Sequence, residues 1–169
     1  MKQHSGFTLI ELMITLAVLA IVLGIAMPAI SDFAIKQRVS SKTNEMMLSL
    51  AFARSEALKL NRDVRVMPST ATAAGWSDGW CVGPATINSC NHAEVVRVFS
   101  STNGVSITSS GIANPPVLVF RRDGTSTQNE AKLKLTSPNL DANGDTARCV
   151  TLNRQGRAEV TKTTRDAAC

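Results

Sequence analysis

Apolar residues are crowded at one end of this chain and spaced out along the rest. Residues 7–30 read FTLIELMITLAVLAIVLGIAMPAI, with Glu11 as the one charged side chain. At ~1.5 Å of rise per residue this run makes roughly 36 Å of helix, against ~30 Å for the hydrocarbon core of a bilayer. The run is too long for the apolar region of a secretory signal, although Ala26-Met27-Pro28-Ala29 offers small residues of the kind found at a cleavage site. The pattern predicts a membrane-crossing helix over 7–30 behind a short leader, 1–6. Pro28 removes the bond to the carbonyl of Gly24, so the stretch from Gly24 to Pro28 is where this helix is expected to kink.

Beyond residue 30 the spacing becomes that of an amphipathic helix. Val39, Met46, Leu50, Ala53, Ala57 and Leu60 recur at helical intervals, Thr43 fills the gap, and Met47, Ala51 and Leu58 widen the stripe. A continuation over 31–62 follows, with the stripe packed against a sheet. From residue 63 the period changes to short β-like runs at 64–67, 80–82, 94–99, 105–108, 117–120, 132–136, 148–152 and 157–162. Gly75, Asp78-Gly79, Asn103-Gly104, Asn114-Pro115-Pro116, Asp123-Gly124, Asn143-Gly144 and Gln155-Gly156 punctuate them. The predicted class is α+β: a long N-terminal helix, half transmembrane and half amphipathic, packed on a small antiparallel β-sandwich or paired-sheet head over 63–169.

Composition narrows the function. In 169 residues, 44% hydrophobic and 18% charged content excludes wholesale disorder. Aromatics at 4%, with no Tyr, leave little to stack nucleic-acid bases on. His4 lies in the leader and His92 is the one other histidine; no Ser/His/Asp set is evident around it, and the acids show no pairing that sequence certifies for acid/base work. No catalytic residue and no cofactor are expected. Asp141-Ala142-Asn143-Gly144-Asp145 opens like a calcium loop. Thr146 then stands where the loop needs Gly, and Leu152 where it needs a bidentate Glu, which leaves a polar turn and no metal site.

The segment Gly6-Phe7-Thr8-Leu9-Ile10-Glu11-Leu12, at the end of a short basic leader, resembles the prepilin processing site of type IV pilins and type II secretion pseudopilins. The resemblance implies cleavage after Gly6 by a prepilin peptidase, methylation of the Phe7 amine, and a role for Glu11 in subunit assembly. Ala53-Arg54-Ser55-Glu56-Ala57, Trp76-Ser77-Asp78-Gly79-Trp80, Phe120-Arg121-Arg122-Asp123-Gly124 and Asn153-Arg154-Gln155-Gly156-Arg157 resemble the branch holding pseudopilin H and the minor pilins FimT and FimU. That branch implies a non-enzymatic minor pilin that primes or caps a pilus at its tip, with other pilins as partners. It is held in the inner membrane with its head in the periplasm, then displayed on the cell surface. The rival expectations are an H-type minor pseudopilin of type II secretion and a DNA-binding subunit for uptake.

Four cysteines allow three pairings, and a periplasmic head would oxidise them. Cys81 with Cys90 closes a local loop, and Cys149 with Cys169 ties down the chain end. Both pairings are favoured over zinc, which lacks close Cys pairs here. Arg148, Arg154, Arg157, Lys162 and Arg165 face only Glu159 in their stretch, a candidate for weak contact with DNA phosphates. The G-R-x-R motif of FimT-like receptors corresponds here to Gly156-Arg157-Ala158-Glu159, with an acid in its last place.

Overall fold

The apolar run and the amphipathic stripe belong to one helix. In the computed structural model, which describes residues 7–169 apart from the side chains of 25–29, α1 spans Leu9–Leu60. The chain divides into two compact units, residues 1–34 and 35–169. In the first, the helix leaves its apolar side chains open: Leu9, Ile21 and Leu23 are all more than half exposed. α1 continues through Gly24 and Pro28, so the proline does not end it. Among the described residues no helix is long and apolar enough to cross a membrane, and the side chains of 25–29, inside the expected span over 7–30, lie outside those residues.

In the second unit the stripe does what its spacing demands. Val39, Met46, Leu50, Ala53 and Ala57 are buried and join one core with residues from two antiparallel sheets. The first sheet has the order β3-β2-β1-β5, from β1 (Val64–Pro68), β2 (Gly79–Pro84), β3 (Arg97–Ser100) and β5 (Leu118–Phe120). The second has the order β4-β6-β7-β8, from β4 (Ser106–Ser110), β6 (Glu130–Thr136), β7 (Ala147–Asn153) and β8 (Ala158–Thr163). Alternation is clean on β6, where Ala131, Leu133 and Leu135 face the core and the Lys residues between them do not. Sheets with one apolar face must cover it, and the stripe of α1 is in that shared core.

The stripe is narrower than its spacing suggests, since Ala51, Leu58 and Leu60 stay exposed. Its flank instead buries two polar residues. The Ser49 hydroxyl accepts a 2.9 Å bond from Nε1 of Trp80 and donates one to the carbonyl of Met46 at 2.8 Å. Lys42 lies 4.5 Å above the Trp80 ring, pairs with Glu45 at 2.6 Å and donates to the carbonyl of Ser100. Trp80 in turn stacks on Phe99, with centroids 5.2 Å apart.

Every strand run read from the sequence overlaps a strand, and one shifts. The run at 94–99 becomes Arg97–Ser100. The Glu94 carboxylate accepts from the Thr86 hydroxyl, and its N–H donates to Nδ1 of His92, which commits that segment to a turn. Below this loop Met67, Cys81 and Ile87 make a second, smaller core.

Candidate functional site

Gly6, the residue before the expected cut, lies outside the described residues. Phe7 is 84% exposed. Next to it, Thr8 and Glu11 close a capping box. The N–H and hydroxyl of Thr8 both donate to Oε2 of Glu11, at 2.9 and 2.7 Å, and the N–H of Glu11 returns a bond to the Thr8 hydroxyl at 3.3 Å. The T-x-x-E spacing of Thr8 and Glu11 is the sequence signature of this cap, one that the charge of Glu11 overshadows.

The structure joins Cys81 to Cys90, with an S–S distance of 2.10 Å, and Cys149 to Cys169, at 2.21 Å. The second bond belongs to a larger clasp. Nζ of Lys134 donates to the carbonyl of Arg165 at 2.6 Å and to that of Ala167. The Arg165 guanidinium donates to the carbonyl of Leu140 at 3.1 Å and takes both oxygens of Asp166 at 3.0 Å. Hydrogen bonding to Arg165 pulls the Asp166 carboxyl below its ordinary range.

That clasp breaks up the basic set expected near the C-terminus. Arg148 sits opposite Lys162 in the β7–β8 register and donates to the carbonyls of Asp145, Thr146 and Ala147. Arg154 and Arg157 lie at the other end of the same hairpin, in the turn that joins the two strands. Arg148, Lys162 and Arg165 therefore form no single surface with Arg154 and Arg157, and two of these cations already hold backbone.

The arginines of the hairpin turn have different neighbours. The N–H of Ser126 donates to the carbonyl of Arg154 at 2.9 Å, which brings the turn after β5 onto the turn after β7. Gly156 has φ +73°, and a Cβ there would lie 2.1 Å from the carbonyl oxygen of Gly124. Only glycine permits that approach. Nε of Arg54, from α1, packs against both glycines and is buried without a hydrogen-bond partner. A buried donor left this way costs ~1–3 kcal/mol. Arg54 lines a groove of about 400 Å³ between α1 and the start of β8, floored by Met47, Leu50, Ala51 and Leu58 and rimmed by Arg157. A second hollow of about 550 Å³ is lined by Arg62, Arg121 and Arg122 together with Asn61, Asp63 and Asp123.

Asp141 accepts from the N–H of Asn143 at 3.1 Å, a turn contact. Among the described residues no group of His, Cys, Asp or Glu is placed to hold a metal ion.

Residues 42–156 match the type II transport protein GspH family, and residues 1–27 match the prokaryotic N-terminal methylation motif. The chain is 35% identical over 118 residues to the fimbrial protein EcpC of Eikenella corrodens, covering 67% of this chain and 69% of that protein. Its fold is similar to the type IV minor pilin FimU of Pseudomonas aeruginosa, with a TM-score of 0.60 at 19% identity over 76% of this chain and 92% of that one. It is also similar to the minor pseudopilin EpsH of the Vibrio cholerae type 2 secretion system, with a TM-score of 0.54 at 13% identity over 73% of this chain and 96% of that one.

Proposed function

Because the chain belongs to the type II transport protein GspH family, we propose that it is a minor type IV pilin, a tip-associated subunit that primes or caps pilus assembly. The family is one of structural pilin and pseudopilin subunits rather than known enzymes. The observation that carries the assembly role is the N-terminal methylation motif over 1–27, set on a helical unit whose apolar side chains are left open. Such a surface is stable only in lipid or against other helices. Prepilin peptidase cuts after Gly6, Phe7 becomes the new N-terminus, and the apolar stretch anchors the subunit in the inner membrane, head in the periplasm, until it enters a filament of other pilins.

Glu11 is the assembly residue in this reading. A carboxylate in apolar surroundings needs a counter-charge, and the methylated N-terminus of a neighbouring subunit supplies one. The N–H and hydroxyl of Thr8 both donate to Oε2, so the capping box and an incoming cation can share the group. The test is the amount of Glu11→Ala found in sheared filaments relative to the membrane fraction. The mutant should stay inserted and be depleted several-fold from filaments, and equal incorporation would remove Glu11 from assembly.

A type II secretion pseudopilin of the H type is the second reading, favoured by the family match and the EpsH-like fold. Deleting the gene separates the two: lost piliation supports the pilin, and lost secretion with intact pili supports the pseudopilin. DNA binding gains less support, because the basic residues expected to make one surface sit at opposite ends of a hairpin.

A further inference from the structure

We propose that the groove between α1 and the β7–β8 turn seats an apolar, carboxylate-bearing segment of a neighbouring pilin-like subunit, gripped by Arg54 and Arg157. The proposal rests on the assembly role above and names the surface of the head through which it acts. Three observations converge on it. Arg54 is fixed at its stem by Gly124 and Gly156, and its buried Nε finds no acceptor within the chain. Neither Arg54 nor Arg157 is in a salt bridge among the described residues. The floor between them is apolar, and Leu58 is 52% exposed there.

Glu159 follows Ala158 on β8, and since Ala158 packs against the core the alternation of the strand turns Glu159 to the opposite face; three other acids close in sequence are engaged elsewhere. Glu56 reaches Lys59 at 3.7 Å, Asp123 accepts both bonds of Thr125, and Asp63 accepts the N–H of Arg122. The groove thus offers guanidinium donors with no internal acceptor above an apolar base. A nucleic-acid strand would use the cations but waste the base, which holds no aromatic ring for stacking. A free inorganic anion would waste it equally. An Asp or Glu side chain beside an apolar one satisfies both halves: a charge-assisted, two-pronged bond to arginine and cover for Leu58. Arginines set among apolar contacts are frequent anchors of protein interfaces.

The experiment places a photo-crosslinking phenylalanine at Ser55, an exposed residue of the groove lining, in the full-length chain in its own bacterium. Filaments are sheared, illuminated and mapped by mass spectrometry. The expected result is a crosslink to another filament subunit through a peptide containing Asp or Glu. Arg157→Glu should cut its yield several-fold with the melting temperature of the head unchanged. Lys in place of the mapped acid should restore the yield in that variant. Leu58→Lys, which blocks the floor, should cut it as well. A subunit that enters filaments yet gives no crosslink from Ser55 would overturn the groove and leave the assembly role standing. A crosslink to DNA, or one indifferent to Arg157→Glu, would overturn it too. Absence of the wild-type subunit from filaments would remove the assembly role and the groove together.

Discussion

In the proposed assembly role the Glu11 carboxylate serves both Thr8 and an incoming subunit, and single substitutions can pull those duties apart. Thr8→Ala removes the N-cap, which costs the helix start ~1 kcal/mol, but leaves the charge of Glu11 in place. It should therefore enter filaments far better than Glu11→Ala, measured in the same sheared fraction. Equal loss in both would mean that the capping box, not the charge, is what assembly needs. Asp123 offers a second residue-scale test, in the turn that covers Arg54. Its Oδ1 accepts the hydroxyl of Thr125 at 2.6 Å and the N–H at 2.9 Å, and these bonds hold its carboxyl below the ordinary aspartate range. A depressed carboxylate steadies the fold above its unfolded pKa of ~3.9 and loses that contribution as pH falls through the lower folded value. An NMR titration should place the midpoint of Asp123 below that of a free aspartate. Thr125→Val should raise the midpoint, because only the hydroxyl bond is lost.

The buried Ser49 bond couples α1 to the first sheet, and its removal is an element-scale measurement. Ser49→Ala leaves the indole N–H of Trp80 buried without an acceptor, a loss of ~1–3 kcal/mol that urea unfolding of the head would read. Ser49 also shows where the sequence was silent. Val39, Met46, Leu50, Ala53 and Ala57 announced the buried face because apolar periodicity is a local signal. Ser49 and Lys42 lie beside that face and look like ordinary solvent positions. They are buried because Trp80 and Ser100 come from strands far along the chain. The strands were legible through their turn residues, and β3 slipped because His92 and Glu94 hydrogen-bond locally, which no alternation pattern encodes. The groove was half legible: Ala53-Arg54-Ser55-Glu56-Ala57 and Gly156-Arg157 stood out as motifs. That two glycines would meet over one guanidinium depends on contacts between turns some 30 residues apart in sequence.

At the scale of the whole head, the chain end is held to the second sheet by two independent devices, and they should fail in different ways. The bond between Cys149 and Cys169 closes a loop with a sequence separation of 20. By loop entropy it is worth about 3 kcal/mol, most of it through the unfolded chain. The Lys134 and Arg165 bonds act in the folded state instead, pinning the carbonyls of 165 and 167 and the loop at Leu140. Changing Cys149 and Cys169 together to Ala should therefore shift the urea midpoint downward by roughly 1–3 M, taking a slope of ~1–3 kcal/mol/M, while the native tail stays docked. Lys134→Met alone should cost less in urea, since the disulfide still limits the unfolded chain. Only the triple change should free the tail under native conditions, and carboxypeptidase trimming of the last residues would report it. Rapid trimming in the Ala pair alone would show that the disulfide is the tail's sole tether and that the Lys134 clasp contributes nothing in solution.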